Sequence, residues 1–223
     1  MIRSNPIQKA IFRGMEGEGG AVVVVLGSAQ DGGLPQLGSF HQQDLRAMKE
    51  GQMQRMGASV AVISGNGRCL LIDASPDLRH QYYRILMTIP EYYVPRQMDP
   101  ELPIFDAIVL THAHMGHYLG ELSSGLPHSI SSSLGLALLG KESANTQQVP
   151  TYTTHSMGRF LRENAPWNQL IQLQNISIQE VESLPYSKAQ RFSLWEGLEL
   201  RLFTVPHRAE FTGESVRGRI VVL

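Results

Sequence analysis

The run Ala21-Val22-Val23-Val24-Val25-Leu26 constrains the fold more than any other stretch of the chain. It is almost wholly β-branched and shows no alternation of apolar and polar residues. Such a run reads as a strand covered on both faces. Covering it requires further layers, and 223 residues are enough for one domain of that kind, or at most two small ones. With 42% hydrophobic and 17% charged residues the composition is that of a globular protein, which excludes a disordered chain. The run is far short of the ~20 residues that cross a membrane. It is also too short for a signal-peptide core, with Glu16 and Glu18 just before it. A cytoplasmic location is expected.

Further short strands are expected at 59–64 and 69–72, joined by a hairpin turn at Gly65-Asn66-Gly67. Others are expected at 105–111, 149–153, 176–181, 198–205 and 219–223. A helix after 75 would take Ser75 as N-cap and Pro76 as its first residue, with Leu78, Tyr82, Ile85 and Leu86 on its inner face. Residues 42–56 read as an exposed helix or lid, and 156–164 as a second helix. Residues 118–140 read as helical at the start only, and the proline-rich stretch 88–103 as a loop. Residues 1–20 read as a loose leader and 21–223 as one domain. Strands and helices in this order imply an α/β layered protein with a mixed sheet. The last strand ends at Leu223 with nothing after it to cover it, so the domain is expected to be incomplete at its C-terminus.

The chemistry concentrates in Thr111-His112-Ala113-His114-Met115-Gly116-His117, which holds three of the eight histidines. In extended backbone residues i and i+2 share a face, so His112 and His114 can offer ring nitrogens to one ion at the end of a buried strand. Gly116 permits a sharp turn that brings His117 back towards the same space. Neutral imidazole suits zinc, iron or manganese. His207, at the end of the strand 198–205, is a distant candidate ligand. Three protein ligands leave the open position that a catalytic metal needs.

Other readings are weaker. Gly27–Gly33 matches neither the dinucleotide fingerprint nor the P-loop, since Gly27 is followed by Ser28-Ala29 and Gly32 by Gly33-Leu34. It reads instead as a loop lining the pocket, with Asp31 pointing inward. Asp73 ends a buried strand, where it either forms a turn or accepts a hydrogen bond from a ligating histidine. Asp31 and Asp73 are the candidate catalytic carboxylates. The lone Cys69 excludes an intrachain disulfide and a cysteine-only zinc site, and reads as a packed thiol. His41, His80, His128 and His155 have no partner pattern. No Gly-x-Ser-x-Gly elbow is present.

A strand ending in Thr-His-x-His-x-x-His, preceded by Leu71-Ile72-Asp73 and followed downstream by a strand-end histidine, resembles the metallo-β-lactamase superfamily. Residues 25–36, 71–79, 111–120 and 166–170, with Val205-Pro206-His207-Arg208, are similar to its coenzyme PQQ biosynthesis protein B branch. The resemblance implies a four-layer αβ/βα sandwich with metals at one edge of two sheets, here with its C-terminal part incomplete. It implies that His112, His114 and His207 hold a first metal and His117 a second. The metal would be zinc, with iron as the alternative. The superfamily usually has an aspartate where this chain has Gly116; if the missing carboxylate disables the second site, Gly116→Asp is expected to fill that place and raise metal stoichiometry or hydrolytic rate.

The reading that follows is a metal-dependent enzyme that activates water or oxygen on a small-molecule substrate. Superfamily members hydrolyse esters, lactams, thioesters and phosphodiesters. The alternative is a non-catalytic or degenerate metal-binding fragment. A net charge of -1 with no basic run argues against nucleic acid and anionic membranes as partners. An exposed last strand would favour a homo-oligomer.

Overall fold

The computed structural model describes residues 11–13, 21–119, 135–182, 184–189, 191–195, 198–205 and 219–222. In the valine run, Val22, Val24 and Leu26 are buried, while Val23 and Val25 are half-buried. One face of that strand is therefore sealed in the core and the other only partly covered.

The elements in chain order are β1 (Ile11–Arg13), β2 (Ala21–Gly27), α1 (Gln42–Lys49), β3 (Ser59–Ser64) and β4 (Cys69–Ile72). There follow α2 (Leu78–Thr88), α3 (Pro90–Met98), β5 (Ala107–Val109), β6 (Val149–Thr154), α4 (His155–Glu163), α5 (Trp167–Gln172) and β7 (Ile176–Val181). The last are β8 (Arg191–Trp195), β9 (Leu198–Val205) and β10 (Arg219–Val222). Strands β1 to β7 form one sheet in sequence order, and β10-β9-β8 a second. In the first sheet β1 to β4 are antiparallel neighbours, and β4 to β7 are parallel neighbours. The second sheet is antiparallel.

Alternation along the central strands separates two apolar clusters. Leu71 of β4 and Ile108 of β5 face Leu78, Ile85, Tyr92, Met157, Leu161 and Trp167, from helices α2 to α5. Leu70, Ala107 and Val109 face the other way, against Trp195, Leu200 and Leu202 of the second sheet. The described residues thus form a helical layer, a mixed sheet and a second sheet, as a period-two pattern buried on both faces requires.

Several expectations shift. Residues 11–13, within the stretch read as a leader, form β1 against Val22–Val24 of β2. The proline-rich stretch carries a helix, not a loop. Pro90 stands at its first position, where a missing N–H costs nothing, and Pro95 lies inside it. The turn is held by Tyr92, which is fully buried, and by Arg96, whose guanidinium stacks on Tyr92 and bonds Gly67 O, Pro103 O and Asp106. Helix α2 begins at Leu78 and not at Pro76. Ser75 still closes its entry, since its hydroxyl accepts from Asp77 N–H and its carbonyl from Leu78 N–H. The strand expected at 105–111 is paired only over 107–109. Strand β8 and helix α5 carry no clear sequence signal. Residues 120–134, most of the stretch 118–140 read as helical at its start only, lie outside the described residues. Cys69 is fully buried, and burial pushes its thiol well above the usual range, as a packed thiol requires.

Leu71→Ala removes a fully buried side chain from the helix-facing cluster. It should cost about 2–5 kcal/mol, read as a lower denaturation midpoint at unchanged slope.

Candidate metal centre

Parallel pairing puts the carboxyl ends of β4 and β5 side by side, with Ile72 opposite Val109. Crevices at such ends are where open α/β sheets bind ligands. The residues that leave them are Asp73 from β4 and Thr111-His112 from β5. Strand β2 runs in the same direction as β4, since both are antiparallel to β3. Its following loop therefore brings Asp31 to the same edge.

Asp73 has φ 64, a left-handed conformation that aspartate tolerates better than most side chains. It is 4% exposed. Its carboxylate accepts from Thr111 N–H at 2.7 Å, from the Thr111 hydroxyl at 2.8 Å and from His117 Nδ1 at 2.6 Å. Having donated its proton to Asp73, the Thr111 hydroxyl is left to accept from His112 Nδ1 at 2.8 Å. Both buried rings thus have Nδ1 committed as a donor, which leaves Nε2 of each as the atom available to an ion. His112 Nε2 lies 2.8 Å from His114 Nδ1.

The three histidines each offer one nitrogen, and these nitrogens all lie within 4.8 Å of one another. This donor set fits a metal ion. The imidazoles converge, two of them are held through Nδ1 so that Nε2 is the atom left for an ion, and the partners that hold them are buried. His112 and His117 are buried, whereas His114 is half-buried. A short 3-10 turn, Met115–His117, closes with a bond from His117 N–H to His114 O, and His117 O accepts from Ala74 N–H. These bonds tie the histidine loop to both strand ends.

Asp31 points to this cluster, its Oδ1 3.7 Å from His117 Nε2. The loop that carries it is fastened to residues 55–57. Ala29 N–H donates to Met56 O, while Leu34 and Arg55 exchange both backbone bonds. Further along, the Asp44 carboxylate accepts from the Ser39 hydroxyl and from Gln36 N–H. The Ser39 bond first, then the Gln36 bond, hold Asp44 below the usual carboxylate range.

Gly116 serves differently from its expected role. Its φ is not in the left-handed region, so the turn does not require glycine for conformation. A Cβ at 116 would meet Asp31 instead, at 2.6 Å from its Cα. The space that Gly116→Asp was expected to fill is already taken. Thr111 is the residue that motif reading left without a role. A hydroxyl immediately before His-x-His at a strand end was the available signal. His207 lies outside the described residues. His155 lies elsewhere, bonded to Glu180. Among the described residues no helix is long and apolar enough to cross a membrane.

Comparison with known proteins gives the family. The family model for the beta-lactamase superfamily domain matches residues 68–221, and the chain belongs to that superfamily, with the metallo-β-lactamase fold. Within it, the chain is similar to proteins named coenzyme PQQ synthesis protein B. The one from Xanthomonas axonopodis pv. citri is 37% identical over 103 residues, covering 45% of this chain and 32% of the relative. The one from Methylobacterium radiotolerans is 30% identical over 188 residues, covering 82% of this chain and 52% of the relative. The chain thus matches from about a third to about half of the length of these relatives. Among solved structures, Zn(2+)-bound PqqB from Methylobacterium extorquens superposes with a TM-score of 0.57 at 23% identity, over 82% of this chain and 56% of that one. A diphosphatase from the PhnP family gives 0.51 at 22% identity, over 88% and 57%.

Asp73→Ala should strip Thr111 and His117 of their common acceptor, leave a buried N–H unpaired and place alanine at a positive φ. A loss of roughly 2–4 kcal/mol is expected in chemical denaturation. For Asp44 the sign is that of a depressed acid. Its contribution is present above the ordinary carboxylate range and is lost as pH falls through the lowered folded value. Asp44→Ala should therefore lower Tm at neutral pH, by a margin that shrinks in acid.

Proposed function

We propose that this chain is a metal-dependent enzyme that activates water on a small-molecule substrate, with zinc held by His112, His114 and His117. The observation that carries the proposal is the convergence of three imidazole nitrogens within 4.8 Å, two of them fixed by the Asp73–Thr111 network. When bound, zinc would lower the pKa of a water and polarise a substrate oxygen. The chain's own residues supply the rest. Asp73 and Thr111 keep Nδ1 of His117 and His112 protonated, so that Nε2 of each remains a donor to the ion. Asp31, whose side chain is 45% exposed, sets a carboxylate at the open side of the cluster, where it can hold a proton taken from water.

Zinc is favoured by the imidazole-rich donor set and by the Zn(2+)-bound state of the Methylobacterium extorquens relative. The substrate class follows the superfamily: an ester, lactam, thioester or phosphodiester of a small molecule. A cytoplasmic setting and the absence of nucleic-acid and membrane partners belong to the same proposal, on the strength of the near-neutral charge.

Elemental analysis of the purified chain should give close to one zinc per chain, and His114→Ala should lose most of it. His114 is half-buried, so the variant should keep its fold by circular dichroism. Full metal retention in His114→Ala would overturn the assignment. Bound metal without hydrolysis of any of the four substrate classes would favour a binding role without turnover.

A further inference from the structure

We propose that Asp31 is the carboxylate donor of the metal centre, and that position 116 is glycine in order to admit it. The inference rests on the metal-binding reading above. Three observations converge on it.

The first is steric. A Cβ at 116 would lie 2.6, 2.7 and 2.8 Å from Cα, Cβ and Cγ of Asp31. Carbon atoms in contact sit at roughly 3.5–4.0 Å. One of the three atoms is backbone, so no change of rotamer at Asp31 relieves the overlap. With φ at 116 outside the left-handed region, close approach is the reason for glycine there.

The second is the spacing of donor atoms. Nδ1 of His117 is taken up by Asp73, which leaves Nε2 as the ring nitrogen on the side of Asp31. Asp31 Oδ1 faces that atom at 3.7 Å, too far for a hydrogen bond. An ion about 2.0–2.2 Å from each atom would bridge that gap. A divalent ion is the natural occupant for an imidazole and a carboxylate so placed.

The third is mechanical. Asp31 lies between two anchors of its loop, Ala29 on Met56 and Leu34 on Arg55, with a turn closed by Gly33 N–H on Gln30 O. Gly27, at the head of the loop, approaches Gly57 so closely that a Cβ would lie 1.9 Å from its carbonyl oxygen. The carboxylate is delivered by a fixed loop, and its exposure leaves it open to the side from which solvent arrives.

The test is metal titration of the full chain, freed of metal by chelation, with Zn²⁺ by calorimetry and with Co²⁺ by visible absorption. Asp31→Asn keeps the volume and removes the charge. It should weaken Zn²⁺ binding by about tenfold or more and alter the Co²⁺ spectrum. Gly116→Ala should produce a comparable loss by displacing Asp31, and the double variant should lose no more than either alone. Unchanged affinity and spectrum in Asp31→Asn would overturn the proposal, even with metal bound at full stoichiometry. Losses that add in the double variant would also overturn it, by showing that 116 acts apart from Asp31. If Gly116→Ala does not fold, Asp31→Asn alone decides. An unsubstituted chain that binds neither ion overturns both this inference and the metal-binding reading.

Discussion

The Asp73 carboxylate is the interaction on which the rest of the site depends. It lies where β4 ends, yet its three partners all come from the segment after β5. A parallel pair of strands has no turn to hold its ends together, so the register beyond the last ladder bond must be set by side chains. Asp73 does this with bonds at 2.6–2.8 Å, buried from water, where each is stronger than at a surface. Its main chain is engaged as well, with N–H on Val109 O and the carbonyl accepting from the Ser59 hydroxyl. The left-handed backbone is tolerated because these partners over-determine it.

The same network continues behind the site. Gln81 donates to Gly57 O, Asp77 accepts from Gly57 N–H, and Ser75 bonds Gln81. Residues 55–57 in turn hold the loop that carries Asp31. The start of α2, the segment before β3 and the loop after β2 are therefore one hydrogen-bonded unit. Positions of Asp31 and Asp73 relative to the histidines are coupled through it, although the two lie 42 positions apart in the chain. A site assembled from three sheet connections needs such a frame, because a misplacement of about 1 Å is costly to chemistry.

Much of this was legible in the residues. Strands of four to eight residues with β-branched runs were placed within one residue or so of their observed bounds at β2, β3, β4, β6, β7 and β9. Local pattern is strong in β2, β3 and β4, where alternate or successive positions are buried and the residues are mostly apolar. Helix α3 was not legible, because proline lowers local propensity while the compensation comes from Tyr92 and Arg96 contacts with distant chain. The histidine cluster could be read from its spacing. Its control by Thr111 could not, since which hydroxyl meets which ring depends on the parallel register. The pairing of Asp31 with Gly116 was hidden for the same reason: a missing Cβ signals close approach but does not name what approaches.

Burial gives the centre a direction. His112 and His117 are 3% and 5% exposed, and their outer nitrogens are tied to Thr111 and Asp73. Neither ring can turn without breaking a buried bond, so that half of the cluster is a fixed wall. His114 is half-buried, Met115 is 47% exposed and the Asp31 side chain 45%. Among the described residues these three form the side of the cluster open to solvent. The two halves also differ in chemistry: imidazoles line the buried wall, and the Asp31 carboxylate stands on the open one. On the metal-dependent reading proposed above, substrate preference should be governed among the described residues by those around Asp31 and Met115, on the loop after β2 and the turn after β5, while the buried wall would hold the metal.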